Sequence, residues 1–204
     1  MEKKRLVRIF DKQANQYDRR TENPAHSQWR QQLFRYAHGN VLELAVGAGA
    51  NFPYYPLGVQ VTAVDFSPGM IEKAKRRAQH LQVAAEFMCA DMEEADFGKH
   101  AFDTIVSTMS FCSYEQPLEL LKKVRLWCKP EGDILLLEHG ISSSRIVSSL
   151  QKTLDPLLYR AYGCHHTRNI LELAEQAGLN VVAVDSYWKN MIHLVRAKPG
   201  TATR

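Results

Sequence analysis

The sequence predicts a single α/β domain built around a doubly wound, mostly parallel sheet. Short apolar stretches alternate with amphipathic ones along most of the chain, which is the pattern of strand–helix–strand units. The length of 204 residues fits one domain of ordinary size, and a hydrophobic content of 45% is enough for one packed core. The short link Lys189-Asn190 between the last two strands predicts an antiparallel strand at the C-terminal edge.

Two helices are predicted before the first strand. Residues 3–20 carry an amphipathic stripe of apolar side chains. Residues 25–38 lie between Pro24 and Gly39, and these are residue types that favour the start and the end of a helix. Residues 1–38 are therefore expected to form an N-terminal helical segment.

Seven short apolar stretches are predicted to be strands, and most of them alternate with helices. The predicted strands are 40–46, 59–65, 85–89, 102–107, 133–138, 180–188 and 191–197. The predicted helices that follow the first strand are a short one within 48–56, then 68–81, 117–128, 145–160 and 167–177. Ser67 and Thr167 are the expected N-caps of two of these helices, and the aliphatic run 134–137 suits a strand buried on both faces.

The pattern defines one domain over residues 1–198. Its core is 39–198, with a helical insertion at 143–166. The polar tail 199–204 is expected to be disordered.

Composition and charge exclude several classes of protein. The four cysteines include no closely spaced pair, so no metal site is predicted. The net charge is +4, but the basic cluster at 73–77 lacks interleaved aromatic residues, so no nucleic-acid partner is expected. No apolar run approaches the roughly 18 residues that span a bilayer, and no signal peptide is visible, so a cytoplasmic protein without a membrane span is expected. Peripheral membrane contact, and a monomer or a homodimer, stay open.

A small-residue turn between two strands predicts a nucleotide site. The first strand runs into Gly47-Ala-Gly49, and the second strand ends in Asp65. Glycines let a ligand approach the backbone, and an acid at this strand end can accept hydrogen bonds from ribose hydroxyls. In a dinucleotide-binding loop a third glycine allows close packing of helix on strand, and this chain has Phe52 there. The sequence therefore disfavours an NAD-dependent oxidoreductase.

Four segments, in order, resemble those of the class I S-adenosylmethionine-dependent methyltransferases. They are Glu43–Gly49, Val61–Met70, Met88–Met92 and Phe102–Ser107. The resemblance implies a single Rossmann-like, doubly wound, seven-stranded sheet, mostly parallel with an antiparallel C-terminal strand. It also implies S-adenosyl-L-methionine as cofactor and S-adenosyl-L-homocysteine as product.

The resemblance also implies a role in cofactor binding for residues of these segments. Asp65 would bind the ribose hydroxyls, and Phe66 and Met70 would flank the adenine. Asp91 would lie at the adenine amine, and Ser107 ends the strand that meets the methionine part of the cofactor. The remaining expected contacts come from the loop and the third segment: Glu43, Ala45, Gly47, Gly49 and Met92.

These assignments have alternatives. Met70 and Met92 would serve equally as core residues, and Asp91 as a turn former. Ala45 stands in the place of the family's first glycine, which assumes a backbone with negative φ at this position.

The N-terminal stretch Arg8–Asp18 resembles the first helix of small-molecule methyltransferases of quinone biosynthesis. In that type such a helix closes over the cofactor, so the resemblance implies N-terminal lid helices. Tyr17 would then shield the sulfonium from water. A docking helix with a core tyrosine is the alternative.

The second half of the chain resembles the eukaryotic alkyl-thiol methyltransferases. The resemblance rests on Leu137–His139, Leu154–Pro156 and Gly163–Arg168. Together with the N-terminal likeness it implies a small, lipophilic acceptor: a thiol, a quinone precursor or a phospholipid amine.

Three histidines are candidates for contact with the acceptor. The methyl group of the cofactor is already activated, so a thiol of pKa about 8.5 needs less help than a phenol of pKa about 10. Where a base is needed, His139 just beyond the fifth strand is the candidate, with His165 and His166 as candidate substrate contacts. Structural roles are the alternative for all three. A non-catalytic protein that binds S-adenosylmethionine as a sensor or scaffold is the second functional hypothesis.

Overall fold

The protein is described by a computed structural model that covers residues 2–17 and 23–200, without the side chains of residues 2 and 15–17. The helices are α1 (Glu2–Tyr17), α2 (Pro24–Phe34), α3 (Pro68–Leu81), α4 (Pro117–Trp127), α5 (Arg145–Tyr162) and α6 (Ile170–Gln176), with a 3₁₀ turn at Phe52–Tyr54. The strands are β1 (Asn40–Leu44), β2 (Gln60–Asp65), β3 (Ala85–Cys89), β4 (Phe102–Thr108), β5 (Cys128–His139), β6 (Asn180–Tyr187) and β7 (Ile192–Lys198). Within the described ranges, no helix combines the length and apolar character that crossing a bilayer requires.

The seven strands form one sheet in the order β3-β2-β1-β4-β5-β7-β6. Strands β1 to β5 pair in parallel, and β7 runs antiparallel to both β5 and β6. The predicted fold class is therefore confirmed. The strand order reverses at β1, which pairs with β2 on one side and with β4 on the other. In such sheets the ligand crevice opens at the carboxyl ends of the strands flanking this reversal.

The sheet separates two hydrophobic cores, and alternate residues of its central strands enter opposite ones. On β5, Ile134 and Leu136 pack with α4 and α6, while Leu135 and Leu137 pack with α2 and α3. All four side chains are fully buried. The aliphatic run 134–137 is explained by burial on both faces, as the sequence indicated.

The starts of β5 and α6 differ from the sequence predictions. Strand β5 begins at Cys128 instead of 133, because the chain passes directly from α4 into a pairing of Cys128 with Phe102. The N-cap of α6 is Asn169, whose side chain accepts from the Glu172 amide at 3.4 Å, so the assignment to Thr167 is wrong. The Ser67 cap of α3 is confirmed, with its oxygen 3.1 Å from the Met70 amide. The predicted tail lies mostly outside the described residues.

Candidate cofactor and acceptor site

A cavity of about 500 Å³ opens at the carboxyl ends of β1, β2 and β4. It is bounded by the loop after β1, the start of α3, the loop after β4, and one side each of α1 and α2. Its lining includes Phe10, Arg30, Gly47, Asp65, Phe66, Met70 and Met109. A second cavity of about 260 Å³ also contains Phe66 and Ser113 in its wall, so the two cavities adjoin.

The loop after β1 has an unusual backbone. Ala45, Gly47 and Gly49 have φ of 50°, 55° and 76°. The expectation of a negative φ at Ala45 is therefore wrong, and the left-handed conformation costs an alanine about 1–2 kcal/mol. A Cβ atom on Gly49 would lie 2.5 Å from the buried ring of Phe52, so Phe52 fills the space that a side chain at 49 would need. A Cβ on Gly47 would meet nothing within 4 Å, which leaves this backbone open to a ligand.

Asp65 joins this loop to the end of β2. Its carboxylate accepts hydrogen bonds from the Gly47 amide and the Ser67 amide, each at 2.9 Å. Burial raises the pKa of Asp65 to about 6, and these two hydrogen bonds act in the opposite direction. The structure thus brings Asp65, Gly47 and the neighbouring Phe66 to one wall of the larger cavity, as the sequence predicted.

Glu43 is placed behind the loop and is absent from the described lining of either cavity. Its fully buried carboxylate accepts from Asn51 Nδ2 at 2.7 Å and from the Tyr55 hydroxyl at 2.8 Å. Burial raises the pKa of Glu43 to about 7. In the structure Glu43 holds the loop through Asn51, and its expected contact with the cofactor stays a prediction.

Asn51 connects this carboxylate to a buried arginine that the sequence analysis missed. Asn51 Oδ1 accepts from Arg30 Nε at 2.7 Å, and both residues line the larger cavity. Asn23 and His26 also line it, so α2 and its N-cap turn one polar face toward the ligand space. The spacing of 23, 26 and 30 is the helical signal that could have revealed this face.

Ser107 and Met92 are also buried and absent from the described lining of both cavities, and their expected cofactor contacts stay predictions. Ser107 Oγ donates to Glu138 Oε1 at 2.6 Å, and Met92 packs in the core beneath α4. Glu138 also accepts from the Ser110 amide at 3.0 Å, which fixes the loop after β4. Thr108 at the end of β4 and the loop residues that follow it line the larger cavity in place of Ser107.

Asp91 lines the smaller cavity together with Phe66 and Tyr114. Its carboxylate lies 2.7 Å from Lys3 Nζ on α1, and Lys3 also contacts Glu94 at 2.7 Å. Hydrogen bonds to these two carboxylates raise the pKa of Lys3 above its ordinary value. The predicted adenine-binding carboxylate is therefore in the cavity wall, where α1 covers it.

Helix α1 lies across the junction of the two cavities. Phe10 packs edge-on against Phe66 with ring centroids 5.4 Å apart. Asp11 contacts the Ser67 hydroxyl, and its Oδ1 accepts from the Gly69 amide at 3.1 Å. These contacts give α1 the position expected of a lid. The side chain of Tyr17 lies outside the part of the chain that the structure describes.

The three predicted histidines gather at the end of β5, where His139 is the last residue, and are absent from the described lining of both cavities. The rings of His139 and His166 stack with centroids 4.7 Å apart. His165 Nδ1 lies 2.7 Å from Asp155 Oδ2, and its ring stacks on Tyr159 at 4.0 Å. The structure therefore brings the histidines together as a cluster but not into the cofactor cavity.

Two cysteines complete this cluster. The Cys112 thiol donates to the Met109 carbonyl at 3.6 Å and lies beside the Cys164 sulfur, which also has His139 as a neighbour. These contacts lower the pKa of the Cys164 thiol, while the contact with Cys164 raises that of Cys112. The backbone fixes the arrangement, because the His165 amide donates to the Cys112 carbonyl at 2.9 Å.

Comparison with known proteins identifies the family. The Methyltransferase domain family matches residues 42–136. Thiol S-methyltransferase TMT1B of Rattus norvegicus is 30% identical over 151 residues, which cover 71% of this chain and 62% of that protein. Phosphatidylethanolamine N-methyltransferase of Cereibacter sphaeroides is 28% identical over 118 residues, which cover 57% of this chain and 58% of that protein. The chain thus spans about 60% of the length of each relative.

The fold is also similar to that of a solved methyltransferase. The crystal structure of a SAM dependent methyltransferase from Aquifex aeolicus aligns with a TM-score of 0.66 at 16% identity, covering 92% of this chain and 97% of that one. At this identity the likeness concerns the fold. The matched family and these relatives show that the chain belongs to the class I S-adenosylmethionine-dependent methyltransferases, whose cofactor is S-adenosyl-L-methionine.

Proposed function

We propose that this chain transfers the methyl group of S-adenosyl-L-methionine to a small, lipophilic acceptor. The proposal rests on the two adjoining cavities at the point where the strand order reverses. Their walls include the open backbone of Gly47, the buried carboxylate of Asp65 and the buried side chain of Arg30. When bound, the cofactor supplies a methyl group activated on a sulfonium. The protein's task is then to align the acceptor and exclude water, and alignment corresponds to an effective molarity of about 10⁵ M or more.

The residues of the two cavities fit the parts of the cofactor. Asp65 accepts from the ribose hydroxyls, and Phe66 and Asp91 contact the adenine. Gly47 leaves space for the ligand along the loop backbone. Arg30 is 8% exposed and carries a positive charge in the cavity wall, so we assign it to the carboxylate of the methionine part.

The part of the larger cavity that we assign to the acceptor is lined by apolar side chains and by one histidine. Phe10, Met70 and Met109 line it with apolar surface, which suits a lipophilic acceptor. His26 is the histidine in this wall, so it takes the place of His139 as the candidate base. An acceptor thiol needs no strong base, since its anion is already accessible near neutral pH.

The proposed acceptor classes are a thiol, a quinone precursor and a phospholipid amine. The two named relatives are a thiol and a phospholipid methyltransferase. We place the reaction in the cytoplasm, where thiols stay reduced, in keeping with the four free cysteines.

A turnover screen tests the proposal. Purified protein is incubated with S-adenosylmethionine and a short-chain thiol, a phenol or phosphatidylethanolamine in detergent, and formation of S-adenosylhomocysteine is measured. We expect turnover with one class, and a loss with His26→Ala if that acceptor is a phenol. Cofactor binding without turnover on any class would instead support a sensor or scaffold.

A further inference from the structure

Helix α5 turns its apolar side to solvent. Ile146, Leu150, Leu154 and Leu157 are 84%, 58%, 40% and 66% exposed. Their spacing of four, four and three residues places them on one face of the helix, which we call the α5 stripe. A surface helix of a globular protein normally buries such a face, and an exposed apolar patch indicates a binding surface.

Polar contacts hold the opposite side of α5 against the domain. Gln151 Nε2 donates to the Gly140 carbonyl at 3.2 Å and to the His166 carbonyl at 3.1 Å. Asp155 is 9% exposed and binds His165 Nδ1 and the His166 amide, the latter at 2.6 Å. The orientation of α5 is therefore fixed by hydrogen bonds, and these leave the α5 stripe outside.

The charges around the α5 stripe have one sign. Arg145, Lys152 and Arg160 are exposed on the neighbouring sector of α5. Within α5, all of which the structure describes, Asp155 is the single acidic residue, and it points inward. The exposed side chains of this helix are therefore apolar, uncharged polar or basic.

Helix α1 adds basic groups next to α5. Arg5 Nη1 donates to the Arg160 carbonyl at 2.7 Å, which joins the two helices. Lys4, Arg8 and Lys12 are exposed at four-residue spacing on α1. A second copy of the chain placed on this surface would bring like charges together, whereas an anionic lipid surface complements them.

An exposed tryptophan lies near the other end of α5. Trp188 is 53% exposed in the turn between β6 and β7. This turn is tied to the start of α5, because the Ser143 amide donates to the Lys189 carbonyl at 2.9 Å. Tryptophan favours the interface between water and lipid, where its ring is apolar and its N–H can hydrogen-bond.

We propose that the α5 stripe docks on an anionic lipid bilayer. The leucine and isoleucine side chains enter the boundary between headgroups and acyl chains, and the basic residues of α5 and α1 contact the anionic headgroups. The C-terminal end of α5 lies close to α1, because a Cβ on Gly163 would lie 2.8 Å from Leu6. Docking itself is independent of which acceptor is methylated.

Vesicle sedimentation tests this proposal. The protein is mixed with phosphatidylcholine vesicles and with vesicles that also contain phosphatidylglycerol, at low and at high salt. We expect binding to the mixed vesicles that weakens with salt. The variant Ile146→Gln/Leu150→Gln/Leu157→Gln should bind them about tenfold or more weakly, because three apolar side chains no longer leave water.

Two controls keep the result interpretable. Leu57→Gln/Leu126→Gln changes exposed leucines outside the α5 stripe and should bind vesicles like the unmodified chain. Circular dichroism must show that both variants are folded. Equal vesicle binding by the stripe variant would overturn the proposal, as would no binding of the unmodified chain to either vesicle. A dimer in analytical ultracentrifugation that the stripe variant abolishes would assign the surface to a second copy and also overturn it.

Discussion

Replacing Glu43 by glutamine is predicted to flatten the dependence of stability on pH. The folded-state pKa of this fully buried carboxyl is about 7, raised from 4.5 mainly by burial. The folded protein therefore binds a proton more tightly than the unfolded chain between these values. The contribution of Glu43 to the free energy of unfolding is fully present at low pH and is lost as pH rises through this window, because the carboxyl is harder to ionise in the folded state.

The magnitude follows from the same interval. At about 1.36 kcal/mol per pKa unit, Glu43 accounts for a loss of about 2–3 kcal/mol of unfolding free energy between pH 5 and pH 8. Asp65 and Glu138, whose pKa values are raised to about 6 and about 7 by burial, add losses of the same sign. The informative quantity is therefore the difference in slope between the Glu43→Gln variant and the unmodified chain.

Urea unfolding at pH 5 and pH 8 measures this difference. Glu43→Gln should lose about 2–3 kcal/mol less than the unmodified chain over this range, whatever its absolute stability. Glu86→Gln, on the exposed side of β3, should leave the pH dependence unchanged. The reasoning is refuted if Glu43→Gln shows the same pH dependence as the unmodified chain.

Three further changes test the site. Ala45→Gly should raise the free energy of unfolding, measured by thermal denaturation, by about 0.5 kcal/mol. The strain of the left-handed backbone that glycine removes is larger than the cost of the greater conformational entropy of glycine in the unfolded chain. A lower free energy of unfolding would contradict this. Gly49→Ala should lower the free energy of unfolding by at least about 2 kcal/mol, and adding Phe52→Leu should restore part of this loss. Additive losses in the double variant would argue against the predicted clash between a side chain at 49 and the Phe52 ring. Iodoacetamide at pH 7 should modify Cys164 faster than the more exposed Cys89, because the pKa of the Cys164 thiol is lowered and that of Cys89 is raised. The opposite order in mass spectrometry of the labelled peptides would contradict the lowered pKa of Cys164.

The strands were predictable because their residues carry a local signal. The run 134–137 is aliphatic at every position, since both faces of β5 are buried. The chain also places Gly47 and Asp65 at consecutive strand ends, and parallel strands bring such ends to one edge. Local pattern and fold agree in these segments.

The directions of individual side chains could not be predicted, because spacing along the chain does not determine them. Ser107 and Glu43 lie at strand ends as expected, but their side chains bind Glu138 and Asn51 behind the cavity wall. Arg30 was missed because α2 precedes the recognisable segments, and only the folded chain brings it to the loop. His139 ends a central strand and its ring packs on a neighbouring histidine, so the position at the strand end does not by itself place the ring in the cavity wall.

Calorimetric titration with S-adenosylhomocysteine tests the central claim most directly. The unmodified chain should bind it in the micromolar range, and Asp65→Ala should bind it about 10- to 100-fold more weakly, the scale of lost charge-assisted hydrogen bonds. Glu86→Gln serves as the matched carboxylate control and should bind normally. Normal binding by Asp65→Ala would contradict the placement of the ribose, and no binding by the unmodified chain would contradict the account as a whole.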